Sequence, residues 1–383
     1  MSQPASSVAS RIGALARRDP VLVAATLLAA GSCALVPPDA GYLDYVDLRT
    51  LGLLFSLMAT MSGLSHAGVF RAAGEALLAR TGSGTGAVLR LVLLPFFASM
   101  LVTNDVSLIA FVPFALLVLR MLGLERATVS TVILMTIAAN LGSMLTPIGN
   151  PQNLYLFTAS GMRVPEFVAL MLPYALLSCA MLVACVLFNG VRRHGFPASG
   201  TVGGGVGATR VSRRAVLPWA VLFALSLLAV GRVLPVRALV VAAVVVALAF
   251  DRAALREVDY TLLVTFVAFF VFVGNVGRLE AVSGLLASVV HGNELLVSVA
   301  ASQVISNVPA ALLLSGFTSA WPALIVGTNI GGLGTLIASM ASLISYKQVV
   351  SQGSVSAGTY LVRFTLANVA FLAPLLALAL LLS

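Results

Sequence analysis

A short polar phrase occurs twice in this chain, each time inside hydrophobic sequence and each time followed by a second stretch rich in Asn and Gly. In the first half, Thr-Asn-Asp occupies 103–105 and the Asn-rich stretch runs over 140–153. In the second half, Ser-Asn-Val-Pro occupies 306–309 and the matching stretch runs over 328–335. Polar side chains and helix-breaking Gly and Pro are costly at membrane depth unless they line a cavity or bind a ligand. The duplication therefore predicts one ligand or ion site shared by two halves, as in a transporter.

The composition predicts a helical protein that crosses a membrane several times. Hydrophobic residues make up 60% of the chain and charged residues only 9%, whereas about a quarter of the residues of a soluble protein are charged. The formal charge of +9 would suit a nucleic-acid-binding protein, but the basic residues lie in short clusters between apolar segments, where they set membrane orientation. We therefore expect an all-α polytopic membrane protein whose partner is the lipid bilayer and not a nucleic acid.

Two apolar runs are too long for one membrane span and are interrupted near their middles. The run near 88–120 contains the first polar phrase, and the run near 294–319 contains the second. Each pattern fits a re-entrant helical hairpin, which enters the membrane and leaves it on the same side. Each hairpin is followed by a second interrupted run, which we interpret as a broken helix.

The order of these segments predicts an inverted-topology repeat. The first repeat spans 1–189, a Gly-rich cytoplasmic linker and one connecting helix span 190–235, and the second, inverted repeat spans 236–383. Arg residues near the start of the chain and in the linker place the N-terminus in the cytoplasm by the positive-inside rule, and the number of crossings places the C-terminus outside. The expected location is the inner membrane of a bacterium.

The hairpin tips and the broken helices supply the candidate site residues. At a tip, a helix N-terminus favours an anion, whereas free carbonyls with hydroxyl or amide oxygens favour a cation. Gly and Pro allow unwound backbone in the broken helices; the alternative is that they form ordinary kinks and packing positions. The candidate residues for substrate or ions are Thr103, Asn104, Asp105, Asn140, Gly142, Thr146, Pro147, Asn150, Ser306, Asn307, Pro309, Thr328, Asn329 and Gly331. The candidate positions for a Na⁺ ion are near Asn104, Asn140, Asn307 and Asn329.

Asp105 is the one acid in a hairpin tip, and Val308 stands at the corresponding position of the second tip. An ionisable side chain at membrane depth marks an ion or proton pathway by default. We interpret Asp105 either as a group for proton coupling or cation ligation, or as the N-cap of the second hairpin helix. These roles are compatible with each other.

The polar stretches resemble those of the ion transporter superfamily that includes arsenite/antimonite exporters, metal-citrate/proton symporters and divalent anion/sodium symporters. The phrases that carry the resemblance are TNDVSLIAFVPF at 103–114, NLGSMLTPIGNPQNL at 140–154, SNVPAALLL at 306–314 and GTNIGGLGTLIASMASLI at 327–344. Together with the repeat order, they cover nearly the whole chain.

This resemblance implies a secondary transporter of the elevator type, often a homodimer, in which two tips and two unwound helices surround substrate and ions. The divalent-anion group typically carries Ser-Asn-Thr in its tips, whereas this chain carries Thr-Asn-Asp and Ser-Asn-Val. The tip with Asp105 is therefore more similar to the arsenite exporter and metal-citrate branches. Carried over by position, one half-site is Thr103, Asn104, Asn140 and Gly142, and the other is Ser306, Asn307, Thr328 and Asn329.

We expect a secondary active transporter of small anions, either di- or tricarboxylates or inorganic oxyanions, coupled to H⁺ or Na⁺ and without a cofactor. The alternative within the superfamily is an arsenite/antimonite efflux permease. The alternatives from other classes are a channel and an intramembrane enzyme. An intramembrane protease needs a Ser with His, an Asp pair or a His-Glu-x-x-His motif at membrane depth, and the sequence shows none of these. We therefore do not expect an enzyme.

Overall fold

The computed structural model describes residues 20–78, 83–192, 211–350 and 355–382. The Arg-rich start of the chain and 193–210 of the predicted linker lie outside these ranges. The described residues form α-helices, two short 3₁₀ helices and connecting segments, with no strand among them. The expected all-α class is therefore confirmed.

The helices of the first half follow its apolar runs. Two helix N-termini at the polar stretches carry side-chain caps: the Thr103 hydroxyl accepts from the Val106 N–H, and the Asn150 side chain accepts from the Asn153 N–H. Such caps satisfy N–H groups that have no partner inside the helix. The helices are α1 (Pro20–Leu35), α2 (Tyr42–Tyr45), α3 (Leu48–His66), α4 (Val69–Leu78), α5 (Gly84–Ala98), α6 (Asn104–Met121), α7 (Thr128–Ser143), α8 (Pro151–Ser160) and α9 (Val164–Arg192).

The second half repeats the pattern of long helices followed by interrupted ones. Its most abrupt interruption is at Ser306, which alone separates two helices and has a φ of 73°, a conformation that side chains other than Gly rarely adopt. The helices are α10 (Arg213–Val230), α11 (Val236–Phe250), α12 (Ala253–Arg256), α13 (Tyr260–Gly277), α14 (Glu280–Val290), α15 (Glu294–Ile305), α16 (Asn307–Leu314), α17 (Trp321–Ile330), α18 (Met340–Val350) and α19 (Ala357–Leu382).

Six of the described helices are long and apolar enough to cross a membrane, namely α3, α6, α9, α10, α13 and α19. The pair α14 and α15, bent by 106°, adds a seventh if it forms one span. Three further apolar helices, α1, α5 and α11, are shorter. These lengths and compositions are those of a polytopic membrane protein, as the sequence predicts.

Each predicted hairpin and each predicted broken helix contains a break between two helices. In the first half, 99–103 separates α5 from α6 and 144–150 separates α7 from α8. In the second half, Ser306 separates α15 from α16, and 331–339, which includes a 3₁₀ turn, separates α17 from α18. The breaks lie within a few residues of the interruptions seen in the sequence. Re-entry of the hairpins and inversion of the repeat stay predictions.

The helices fall into two groups that pack mainly among themselves. In the first group, α3 packs against α10 and α11, and α1 packs along α13, which touches both α3 and, in the second group, α16. The second group holds the interrupted segments: α5 packs on α7, α15 packs on α17, and α18 packs on α6 and α7. The close approach of α5 and α7 requires Gly142, because a Cβ there would lie 1.9 Å from the carbonyl oxygen of Phe96. The second group thus brings both tips and both breaks together.

A charged cluster joins the two halves at the end of α3. In the His66 ring, Nδ1 lies 2.5 Å from a carboxylate oxygen of Asp251, and Nε2 lies 2.8 Å from a carboxylate oxygen of Glu257. The Ser62 hydroxyl donates a second hydrogen bond to Glu257 at 2.5 Å. The hydrogen bond to His66 is the main reason that the pKa of Asp251 lies below its usual range, and the hydrogen bond from Ser62 lowers the pKa of Glu257 in the same way. Both carboxylates therefore stabilise the folded protein in their charged form.

Gly142→Ala is expected to destabilise the protein by about 3 kcal/mol, because the added methyl group must push α5 away from α7. The measurement is thermal unfolding of the purified protein in detergent. Gly31→Ala in α1 is the matched control, since nothing lies within 4 Å of the Cβ it would add. Equal melting temperatures for the two variants would contradict the close helix contact.

Asp251→Asn is expected to lower the melting temperature at pH 7. The further fall in melting temperature on acidification should be smaller than in the wild type. Because the pKa of Asp251 is lower in the folded protein than in the unfolded chain, its contribution is complete above about pH 4 and is lost as the pH falls through the folded value. The measurement is thermal unfolding at pH values between 7 and the acid limit of the detergent-solubilised protein. Asp44→Asn, which changes an exposed carboxylate without an ion pair among the described residues, should leave both quantities as in the wild type.

Candidate functional site

One cavity lies where four helices begin. The first residues of α6, α8, α16 and α18 all line it, so that four helix N-termini surround the same space. Helix N-termini present unpaired N–H groups and a partial positive charge, which favour an anion. The remaining wall comes from α1, α13 and the residue before α13. The lining residues are Val21, Asn104, Asp105, Pro151, Gln152, Asp259, Leu262, Thr265, Ser306, Asn307, Val308, Pro309, Ser339 and Met340.

The first tip is held in place by the break between α7 and α8. The buried Asn104 side chain donates to the Asn140 side-chain oxygen at 2.9 Å, and the Asn104 backbone N–H donates to the Gly149 carbonyl at 3.1 Å. The Thr146 hydroxyl donates to the Met100 carbonyl at 2.5 Å, which ties the same break to the end of the preceding hairpin segment. The Asn104 amide is therefore fixed by protein contacts before any ligand binds.

Asp105 lies in the first turn of α6, next to the cavity, but it is not the N-cap of that helix. Thr103 takes the capping position, and the Oδ1 atom of Asp105 is buried without a hydrogen-bond partner in the described structure. Its carboxyl group also lines a wider cleft of about 1020 Å³, together with Glu257, Asp259 and Lys347. The sequence left two interpretations of Asp105 open, and the N-cap interpretation is wrong. The Asp105 carboxyl group has no hydrogen-bond partner in the described structure.

The second tip is built differently from the first. Ser306 has a positive φ, and such strained backbone persists only where the surrounding structure enforces it. Its hydroxyl lies 3.4 Å from the Ala338 carbonyl and 3.5 Å from the Asn307 side-chain oxygen. Asn307 is 5% exposed and lines the cavity. Its side chain makes only this weak hydrogen bond in the described structure, so its amide is less constrained than that of Asn104.

Buried amides connect the two halves behind the cavity. Asn329 donates to the Asn153 side-chain oxygen at 2.6 Å and accepts from the Asn150 side chain at 3.2 Å. The Asn140 side-chain oxygen also accepts from the Ser339 hydroxyl at 3.0 Å. Because all five side chains are at most 4% exposed, these hydrogen bonds form in a medium of low dielectric constant, where they are strong and their loss is costly.

The predicted site residues divide into those at the cavity and those that support it. Asn104, Asp105, Ser306, Asn307 and Pro309 line the cavity. The others lie at the helix breaks or in the helices that flank them, and they are Thr103, Asn140, Gly142, Thr146, Pro147, Asn150, Thr328, Asn329 and Gly331.

The amide oxygens predicted to bind Na⁺ are mostly engaged with other groups. The side-chain oxygens of Asn104, Asn140 and Asn329 each accept a hydrogen bond from the protein. No cluster of three or more His, Cys, Asp or Glu side chains suited to a metal ion occurs among the described residues. A sodium site near these amides stays a prediction.

Four polar residues at or behind the cavity did not stand out in the sequence as site residues. Gln152 and Asp259 line the cavity directly, and Ser339 both lines it and bonds Asn140. Gln303 donates to the carbonyls of Gly331 and Leu333 at 2.8 Å each and so closes the second break. Their one sequence signal is a polar side chain inside or beside an apolar run.

Comparison with known proteins adds a family and several relatives. The family described as "citrate transporter" matches residues 12–320. An inner membrane protein of Escherichia coli is 32% identical over 308 residues, which cover 79% of this chain and 80% of that protein. An uncharacterized transporter of Methanocaldococcus jannaschii is 33% identical over 279 residues, or 71% and 72% of the two chains. A silicon efflux transporter of Oryza sativa is 37% identical over 130 residues, which are 33% of this chain and 26% of that one.

Asn329→Ala is expected to destabilise the protein by about 3 kcal/mol, because it leaves the buried side chains of Asn150 and Asn153 without their partner in the other half. Asn307→Ala is the matched control: it removes a buried amide of the same size that has one weak contact, and its expected cost is about 1 kcal/mol or less. Thermal unfolding in detergent without added ligand measures both. An equal loss of stability would show that the amide network does not hold the halves together.

Proposed function

Because the chain belongs to the citrate transporter family, we propose that it is a secondary active transporter of small anions, either di- or tricarboxylates or inorganic oxyanions. The family and the six long apolar helices make it a multi-pass membrane protein that moves a small substrate across a lipid bilayer. We place it in the inner membrane of a bacterium, with the N-terminus in the cytoplasm and the C-terminus outside.

The main support for an anionic substrate is that four helix N-termini converge on one cavity. The first turns of α6, α8, α16 and α18 add their partial positive charges at the same place. Within the described lining, no Lys or Arg side chain reaches the cavity. A bound anion would therefore be held by N–H groups and neutral amides, which bind more weakly than a buried ion pair. A transporter must release its substrate, and this weaker binding suits that requirement.

A proton is the coupling ion that the cavity favours. A charged Asp105 next to the anion would repel it, whereas protonation removes that charge and turns the carboxyl group into a hydrogen-bond donor. Its Oδ1 atom has no partner in the described structure that would hold the charged form. Proton and anion therefore bind together more readily than either binds alone. Na⁺ is the second candidate, bound near the amide oxygens of Asn104, Asn140, Asn307 and Asn329.

We propose an elevator-type movement of the site, with the second group of helices as the moving part. The hydrogen bonds of Asn329 to Asn150 and Asn153 link the two helix breaks, so the tips and breaks of both halves would move as one unit. The wide cleft beside Asp105 would give the cavity its opening to one side. A homodimer, as in the superfamily that the sequence resembles, would anchor the first group of helices.

Asp105→Asn is expected to abolish net anion transport driven by a pH gradient while leaving anion-for-anion exchange in place, because the variant binds the anion but no longer carries a proton with it. Both fluxes are measured in proteoliposomes loaded with citrate, succinate, sulfate or phosphate, and separately with arsenite or silicic acid, with and without a Na⁺ gradient. Asp44→Asn should transport as the wild type does, since Asp44 is exposed and away from the cavity lining.

Each result of this experiment points to a different conclusion. Net transport that follows the Na⁺ gradient and does not depend on pH would show that the coupling ion is Na⁺ and not a proton. Transport of arsenite or silicic acid without transport of any anion would favour an efflux permease for uncharged oxyacids. If net transport by Asp105→Asn depends on pH as it does in the wild type, Asp105 has no role in proton coupling.

A further inference from the structure

Gln152 is the most completely buried polar side chain that faces the cavity without a partner. The side chain is 1% exposed and lines the cavity at the start of α8. Its Nε2 atom has no hydrogen-bond partner in the described structure. A buried amide donor without a partner is costly to the folded protein, and native structures rarely keep one without a purpose. The cost is removed when a ligand in the cavity accepts the hydrogen bond.

The neighbours of Gln152 hold the start of α8 in place. Asn150 caps α8 by accepting from the Asn153 N–H at 2.9 Å, and Pro151 occupies the first helical position. The side chains of Asn150 and Asn153 are both bonded to Asn329 of the second half. Gln152 therefore stands between two residues that are anchored away from the cavity. Of these three amides, the Gln152 amide alone lines the cavity with a free donor.

At the position that matches Gln152, the second half offers no amide donor. The corresponding helix start there is Ser339, Met340 and Ala341, so an apolar side chain and a methyl group stand where the first half has Pro151 and Gln152. The tips also differ in polarity, since the first carries Asp105 where the second carries Val308. The first half thus contributes both the protonatable group and an unpartnered amide at the start of α8, and the second half faces the cavity with Asn307 and apolar side chains.

We propose that Gln152 is a substrate-binding residue whose Nε2 donates a hydrogen bond to an oxygen atom of the transported oxyanion. This role rests on the proposed anion transport and deepens it, because it gives the substrate an orientation. The oxyanion group lies against Gln152 and Asp105 of the first half, and the rest of the substrate lies against Val308 and Met340. A single oxyanion group is then sufficient for binding, so monocarboxylates with a short apolar part are ligands as well as dicarboxylates.

The test is anion binding by the full chain purified in detergent. The probes are citrate, succinate, butyrate, sulfate and phosphate, and the dissociation constant of each is obtained from the rise in melting temperature with anion concentration. For the anion that the wild type binds best, Gln152→Ala is expected to raise the dissociation constant by about tenfold or more, the usual effect of losing a hydrogen bond to a charged group. Asn368→Ala removes a buried amide of α19 that does not line the cavity, and its dissociation constant should equal that of the wild type.

Gln152→Glu separates ligand binding from packing, because Glu has the same size as Gln. At neutral pH the new carboxylate repels the anion, and on acidification it gains an O–H donor, so anion binding should be lost at neutral pH and recover as the pH falls. The ionisable side chains that line the cavity among the described residues are Asp105 and Asp259. Both side chains are present in the wild type and in Gln152→Ala as well, so any additional pH dependence of Gln152→Glu results from the introduced carboxyl group.

The outcomes separate this inference from the proposed function. Unchanged anion binding in Gln152→Ala, or a pH profile of Gln152→Glu that matches the wild type, would overturn the role of Gln152 and leave anion transport standing. Stabilisation of the wild type by dicarboxylates and not by butyrate would overturn the inference that a single oxyanion group is sufficient for binding. If no anion stabilises the wild type, the anion site is rejected and the role of Gln152 with it.

Discussion

Backbone polar groups at membrane depth must find partners inside the protein, and the helix breaks of this chain depend on that requirement. In the first half, the Asn153 amide lies 3.2–3.4 Å from the carbonyl oxygens of Ser143, Met144 and Thr146. In the second half, the Gln303 amide bonds the carbonyls of Gly331 and Leu333. One amide side chain thus closes each break, although the two come from different elements. The cavity exists because these amides keep the unwound backbone stable.

The two halves meet at the cavity as unequal partners. Both supply two helix N-termini, but the first also supplies Asp105 and Gln152, whereas the second places Val308 and Ala341 at the comparable positions. A site made of two equivalent halves would hold a symmetrical ligand. Under the proposed function, this inequality would give the substrate a direction and would assign the proton-binding group to the first half. At the second tip, the Asn307 side chain makes one weak hydrogen bond and Ser306 has strained backbone.

Long-range amide contacts make the site one unit. Asn329 reaches Asn150 and Asn153 across more than 170 residues of sequence, and Asn140 reaches Ser339 in the same way. The helix breaks of the two halves are therefore linked directly by hydrogen bonds. The cluster of His66, Asp251 and Glu257 lies within the other group of helices and stiffens it. Packing is closer within each group than between the groups, as the proposed elevator movement requires.

The sequence by itself determined the class of the protein and the positions of its helix breaks, because apolar runs of span length and their Gly, Pro and Asn interruptions are local properties of the chain. Only the tertiary structure decided how the polar residues are used. Asn104 and Asn307 occupy matching positions in sequence, yet one is fixed by Asn140 and the other is nearly free. Gln152 and Asn153 are adjacent, yet one faces the cavity and the other supports the backbone. Which amide is satisfied depends on what packs against it from distant segments, and no local pattern in the chain contains that information.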